Sequence, residues 1–354
     1  MRASSRKLLL ALFGVLILGL IVYASRGFIK LNQFSGAKLL HAVRDANPYL
    51  LMLSVAAIYC CYALRALRWK VFQGNLGPSS FWPIYAMTLA GFSAVFLLGR
   101  AGEPVRPVLL ARKERLPVAD MFGIYVLERI FDFASTAVIA SAGLLLFRTR
   151  TEMGQPASAL ETAAKTTGTI FSLAVAGAIA FLAYLRLHGT GLLERRLEGW
   201  RTAHGWRSVV ARIVLGFARG VQALRSVGEL VAAMFYSAAH WFLVLLVYFW
   251  VAHAFGGRLG AITLGDAMLV LGFTLAGSAV QLPGVGGGAQ VATFLAFTTV
   301  LGVEKEPAAA AAIVLWLISF AACSLAGVPL LFHEGFSPAK LRSMAQHEGE
   351  KLQS

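Results

Sequence analysis

The sequence predicts an all-α polytopic membrane protein, built from spanning helices and two re-entrant helical hairpins in an inverted repeat. Three observations carry that prediction. Hydrophobic residues make up 58% of the 354 residues and charged residues 14%, against roughly 45–50% and about 25% in soluble domains, and the mean hydropathy is +0.70. Apolar runs of membrane-spanning length recur along the chain. Two of these runs are interrupted by Gly and Pro at corresponding places in the two halves. The composition excludes a soluble enzyme, a disordered chain and a nucleic-acid-binding domain. The excess of Lys and Arg over Asp and Glu, 32 to 17, belongs in a membrane protein to cytoplasmic loops facing anionic lipid.

The elements follow in order. Residues 8–25 form an apolar run preceded by Arg2, Arg6 and Lys7, and its length favours an uncleaved anchor over a signal peptide. Residues 49–64 are a second span, whose basic end (Arg65, Arg68, Trp69, Lys70) reads as a cytoplasmic flank. Residues 81–98, 122–147, 167–187 and 230–254 are further apolar runs. Residues 267–282 and 289–301 are half-length pieces split by Pro283, Gly284, Val285, Gly286, Gly287 and Gly288, and residues 308–332 close the set. If every run crossed the membrane, the basic stretch 100–115 would lie outside. If run 81–98 instead returns through 104–111, and the pieces around Pro283 do the same from the opposite side, most of the Lys and Arg fall on the inside. That arrangement repeats span, hairpin, span in inverted orientation, a plan shared by many secondary transporters.

The expected organisation is a single integral membrane domain, 1–332, with a first half of about 26–187 and a second half of about 227–332. A short cytoplasmic tail, 333–354, follows. Both termini are expected in the cytoplasm. Between the halves, 192–226 reads as an interfacial amphipathic helix, with Trp206, Val210, Ile213, Phe217, Val221 and Leu224 on one face and arginines elsewhere. Cys60, Cys61 and Cys323 lie in apolar runs and read as core residues, without a disulfide framework or zinc site.

Three groups of residues could carry chemistry. Arg100, Gly102, Glu103, Pro104, Arg106 and Pro107 follow an apolar run directly. The prolines suit a first helical turn, Gly102 allows a tight reversal, and a helix start flanked by Arg100 and Arg106 suits a phosphate. The competing reading is a solvated loop. Glu128, Arg129 and Asp132 sit inside an apolar helix, where each charge costs about 2.5–3.5 kcal/mol on insertion scales. They need partners or a wet cavity, and the spacing leaves structural pairing, an ion pair to Arg100 or Arg106, and direct binding all open. Gln281, Gly284, Gly286, Gly287, Gly288 and Gln290 mark the mirrored break, which is tolerated only where it is buried in protein or lines water. Its following half-helix presents N–H groups suited to an anion, and a simple hinge is the alternative. His240 and His253 read as core or interfacial residues. No metal or cofactor fingerprint is present.

Taken in order, Gly102-Glu103-Pro104 with Arg106, Glu128-Arg129 with Asp132, and the Gly-rich break at Pro283-Gly284 resemble the flippase-like transmembrane family related to the membrane region of lysylphosphatidylglycerol synthases, over roughly residues 5–335. The resemblance implies a bacterial inner-membrane protein and a polar core of Glu103, Arg106, Glu128, Arg129 and Asp132. Characterised relatives attach an amino acid to phosphatidylglycerol and flip the product outward. This chain departs from the pattern at Gln290, where the family usually carries an acid. The soluble aminoacyl-transfer domain of the full synthases has no counterpart here, so no transferase activity is expected.

The expected function is translocation or binding of an anionic phospholipid or polyprenyl-phosphate lipid by alternating access, with no cofactor. The alternatives are a membrane subunit of a lipid-modifying enzyme whose catalytic partner is a separate chain, and a proton-coupled transporter of a small solute; the expected protein partner is a second copy of the chain or such an enzyme subunit.

Overall fold

The computed structural model describes residues 36–146, 226–278, 281–282 and 286–335, with a few positions between 162 and 177. The expected anchor 8–25, most of run 167–187, the interfacial segment up to 225, Pro283 to Val285 and the tail from 336 lie outside the described residues.

The described chain is helical apart from one two-residue strand pair. A short helix, α1 (Gly36–Asp45), precedes α2 (Pro48–Gln73). Asn47 caps α2 by accepting from the Tyr49 and Leu50 amides, and Pro48 occupies the first turn, where it gives up no needed N–H. α3 (Phe81–Leu98) ends at Gly99, whose φ of 65° lets the chain turn through a 3₁₀ segment (Gly99–Gly102) into α4 (Val105–Glu114). Gly102 is packed on the Ala94 backbone, where a Cβ would collide. α5 (Val118–Leu146) follows. α6 (Val227–Ala254) starts at Ser226, which accepts from the Glu229 amide. α7 (Leu264–Gly277) opens with a capping box of Thr263 and Asp266. The strands β1 (Gln281–Leu282) and β2 (Gly286–Gly287) pair antiparallel and lead into α8 (Gly288–Leu295), which continues as a π segment to Val300. α9 (Lys305–Trp316), a π segment (Leu317–Ala321) and α10 (Ala322–His333) form one continuous apolar rod.

Five helical stretches are long and apolar enough to cross a membrane: 48–73, 81–102, 118–146, 227–254 and 305–333. The 26 residues of α2 extend about 39 Å at 1.5 Å per residue, more than the ~30 Å of a hydrocarbon core. Large apolar side chains such as Phe133 on α5 and Phe235 and Phe242 on α6 face outward, as lipid permits and water does not. This is a multi-pass membrane protein.

Contacts sort the helix ends into two sets. At one end Gln73 donates to Glu114 (3.3 Å), Asn75 to Glu229 (3.0 Å) and Lys113 to Glu334 (2.8 Å). At the other, the Asn47 amide donates to the Ala254 carbonyl (2.7 Å), Lys38 pairs with Glu306 (3.4 Å) and Arg258 donates to the Gly302 carbonyl (2.9 Å). α3 starts just beyond Gln73 and α4 ends at Glu114, so this pair opens on the first end. α7 and α8 open on the second.

Among the described residues two large apolar clusters fill the interior, with a small third one at Phe96, Trp316 and Ala321. One joins α2 and α6 to α7, α8 and α9, and the other joins α2 to α3, α4 and α5 around Trp69. A charged layer lies where α2, α4, α5 and α6 meet.

Candidate functional site

The first correction to the sequence reading is on α2. The second span does not stop at residue 64. The helix runs to Gln73, and Arg65 and Arg68 are core residues, Arg68 only 1% exposed. Arg106, expected at a helix start with a solvated loop as the alternative, is buried at 3% in the first turn of α4. Standing at the end of apolar runs or just after them, these arginines carry the sequence signature of loop charges. They belong instead to an ionic cluster about 15 Å inside the helix ends, by residue count from Val118 and Val227.

Glu128 is the hub, 1% exposed. Its Oε1 accepts from Arg65 Nη1 and Arg68 Nη2, both at 2.8 Å, and from Arg106 Nη1 at 3.3 Å. A second Arg106 nitrogen holds Oε2. One turn on, Asp132 accepts from Arg68 Nη2 (2.8 Å) and Trp241 Nε1 (3.2 Å), with Arg65 Nη2 and Arg129 Nη2 each at 3.1 Å. Helical periodicity places Glu128 and Asp132 on one face of α5 and Arg65 and Arg68 on one face of α2. Behind them α6 supplies Ser237, which accepts from Arg68 Nη1 (2.8 Å), and His240, whose Nε2 accepts from Arg65 Nε (3.2 Å). An imidazole accepting at Nε2 carries its proton on Nδ1.

Aromatic rings wall the cluster. The Arg106 guanidinium carbon lies 4.6 Å from the Trp69 ring centre and 5.2 Å from that of Phe92. Arg65 is 5.0 Å from Phe92, and Arg129 is 5.2 Å from Tyr125. Arg129, with its side chain 31% exposed, and Tyr125 form the more open flank. Tyr125 donates to Glu103, and its ring lies against the Arg106 and Arg129 guanidinium groups. Gly91 permits this packing: a Cβ there would strike the Arg106 backbone and side chain.

Charge and hydrogen bonding are both out of balance. Among the described residues, four guanidinium groups (Arg65, Arg68, Arg106, Arg129) meet two carboxylates (Glu128, Asp132) in direct ion pairs. Among the described residues, four buried N–H groups in and beside the cluster have no acceptor: Arg68 Nε, Arg129 Nε, Trp69 Nε1 and His240 Nδ1. Uncompensated buried donors and charges are costly, and a ligand able to accept hydrogen bonds would satisfy them. Among the described residues, no group of His, Cys, Asp and Glu is placed to hold a metal ion.

The remaining expected residues form a second locus. Arg100 donates to the Ser278 carbonyl (3.3 Å) at the C-terminal end of α7, and the 3₁₀ turn lies against the Gln281–Leu282 backbone. The two Gly/Pro breaks therefore touch. Gly277 packs against Gly288, where a Cβ would collide. Gln290 is 2% exposed and its Nε2 has no acceptor. Gly286 and Gly287 pair with Leu282 and Gln281, and Gly284 lies outside the described residues. No hydrogen bond among the described residues joins Gln290 to the arginine cluster. Sequence reasoning missed Arg65, Arg68, Trp69, Ser237, His240 and Trp241. The available signal was a polar face on the 226–254 helix, Ser237 and His240 three apart, opposite the acids.

Residues 9–327 match the family described as "Lysylphosphatidylglycerol synthase TM region". The chain is also 23% identical over 314 residues to a UPF0104 membrane protein of Methanothermobacter thermautotrophicus, covering 84% of this chain and 88% of that protein.

Proposed function

Since the chain belongs to the lysylphosphatidylglycerol synthase TM-region family, we propose that it binds an anionic lipid, a phospholipid or a polyprenyl-phosphate lipid, and carries it across the membrane by alternating access. The observation that carries this reading is the donor-rich arginine cluster. Guanidinium forks match the geometry of carboxylate and phosphate alike. The phosphate of a lipid headgroup would accept from the orphan N–H groups of Arg68, Arg129 and His240. Its acyl or prenyl chains would stay with the lipid outside α5, where Arg129 and Tyr125 form the open flank.

In this reading α3–α4 and α7–α8 are re-entrant pairs in an inverted repeat within one membrane domain, supported by their opening on opposite ends of the helix set. Arg100 at Ser278 holds the two breaks together in the state described. The half-helix starting at Gly288, with Gln290 in its first turn, is a second contact for the headgroup on the far side. The protein sits in the cytoplasmic membrane with the Lys113 and Glu334 end inside, and acts without a catalytic step of its own.

The test is native mass spectrometry of the gently purified full chain, with extraction and identification of the lipids retained. One class of anionic lipid should accompany the wild type and be lost from Arg106→Ala. That variant keeps its fold, because Glu128 retains Arg65 and Arg68. Equal retention by the variant, or the absence of any anionic lipid from the wild type, overturns the reading.

A further inference from the structure

Glu128 occupies the place a phosphate would take. One buried carboxylate receives the forks of Arg65, Arg68 and Arg106, and those forks suit a phosphodiester equally well. An incoming anion cannot use them while Glu128 does. Resting on the lipid-anion reading above, we infer that Glu128 is a built-in stand-in for the ligand, and that its displacement couples anion entry to uptake of one proton.

The loss of its partners, not the net charge of the cluster, calls for the proton on Glu128. Four of the elements packed around Glu128 bring a charged or titratable group: Arg65 and Arg68 from α2, Arg106 from α4, Arg129 and Asp132 from α5, and His240 from α6 through Arg65. Glu103 and Tyr125 stand behind Arg106. α3 contributes the apolar Phe92. With the forks turned to a phosphodiester, a Glu128 carboxylate left ionised would be an unpaired buried charge, a state that burial drives to neutralise. A proton from solvent adds to a Glu128 carboxylate oxygen, and no other bond is made or broken. The cluster then holds four guanidinium groups, Asp132 and one phosphodiester, the same net charge as before. Anion and proton enter as a neutral pair, so a pH difference across the membrane can drive transfer and the electrical potential acts on it only weakly.

His240 is the competing proton site. It lies next to Arg65 and its Nε2 is engaged by that arginine, whereas Glu128 is the group whose partners the ligand takes.

The experiment is calorimetric titration of the full chain in neutral detergent micelles with short-chain phosphatidylglycerol, in buffers of different ionisation enthalpy across the neutral range. A phosphodiester lacks the second ionisation near pH 6 of a phosphomonoester, so any proton exchanged belongs to the protein. Wild type should take up close to one proton per lipid, with affinity falling tenfold per pH unit as pH rises. Glu128→Gln should bind without proton uptake and with no pH dependence, at least as tightly at high pH as wild type does at low pH. The wild-type proton count decides the coupling itself even if that variant fails to fold. Binding by wild type without proton exchange overturns the coupling and leaves the anion site standing. Uptake that persists in Glu128→Gln places the proton elsewhere and overturns the role of Glu128. If neither wild type nor Glu128→Gln binds the lipid at any pH, the anion reading itself falls.

Discussion

At Glu128 one side chain does what loops and ligands usually share. Removing one member of a buried ion pair typically costs about 3–5 kcal/mol, because the partner is left charged and desolvated. Glu128→Ala strands three guanidinium groups with Asp132 alone, so it should lower the unfolding temperature of the purified protein sharply, and more than Arg106→Ala does. The loss should be partly recovered by added phosphatidylglycerol, since a ligand that binds only the native state stabilises it by mass action. A scanning-fluorescence series with and without the lipid checks both, and a Glu128→Ala protein as stable as wild type would show that the acid is not the hub. The acids of this cluster were legible in the sequence and half of its arginines were not, for one physical reason. Glu128 and Asp132 stand in the middle of an apolar run, where a charge has no ordinary explanation. Arg65 and Arg68 stand at the end of one, where a long cationic side chain ordinarily snorkels to the interface. Only the path of α2, eight residues beyond Arg65, turns them inward.

Among the elements, the close approach of α3 and α4 decides whether Arg106 reaches the cluster. Their crossing depends on Gly91, which has no room for a Cβ beside Arg106. Gly123, on α5, has nothing within 4 Å of its Cβ position. Gly91→Ala must push the backbones apart, an overpacking cost of about 1–3 kcal/mol, and withdraws Arg106 from Glu128. It should weaken phosphatidylglycerol binding by about tenfold or more, whereas Gly123→Ala should bind as wild type does. Equal binding by the two variants would separate Arg106 from the site. The half-helices α7 and α8 were visible in the sequence as short apolar pieces around a Gly-rich break. Their mutual contact through Gly277 and Gly288, and their link to the other break through Arg100 and Ser278, were not, because small residues and carbonyls carry no periodic signal. α1 carries no span signal, since ten residues are too few to cross a membrane. It packs on α9, with Lys38 at Glu306.

For the whole molecule, moving Arg65, Arg68 and Arg106 into the core changes what sets orientation. These three counted toward the inside in the sequence-based charge balance, yet buried and paired they give no preference to either side of a membrane. The described ends are then nearly matched: Lys70, Arg112, Lys113 and Arg115 gather at one, and Lys38, Arg44, Arg258 and Lys305 at the other. The bias rests on the sequence between the two halves, where 186–225 holds eight arginines and no lysine. That stretch joins directly to Ser226 at the start of α6, whose Glu229 bonds Asn75 at the Lys113 and Glu334 end. By the positive-inside rule this end is expected to face the cytoplasm. On a background with the exposed Cys60 replaced by Ser, a cysteine at 334 should resist a membrane-impermeant thiol reagent in intact cells, and one at 258 should react. Replacing Arg195, Arg196, Arg201, Arg207 and Arg212 with Gln should mix the two orientations, so that both positions label. Replacing Arg65, Arg68 and Arg106 should leave the labelling pattern of any inserted protein as it was. Labelling at 334 in the otherwise native chain would reverse the orientation. A scrambled pattern from the core arginines alone would mean that they meet the membrane as surface charges before they meet Glu128.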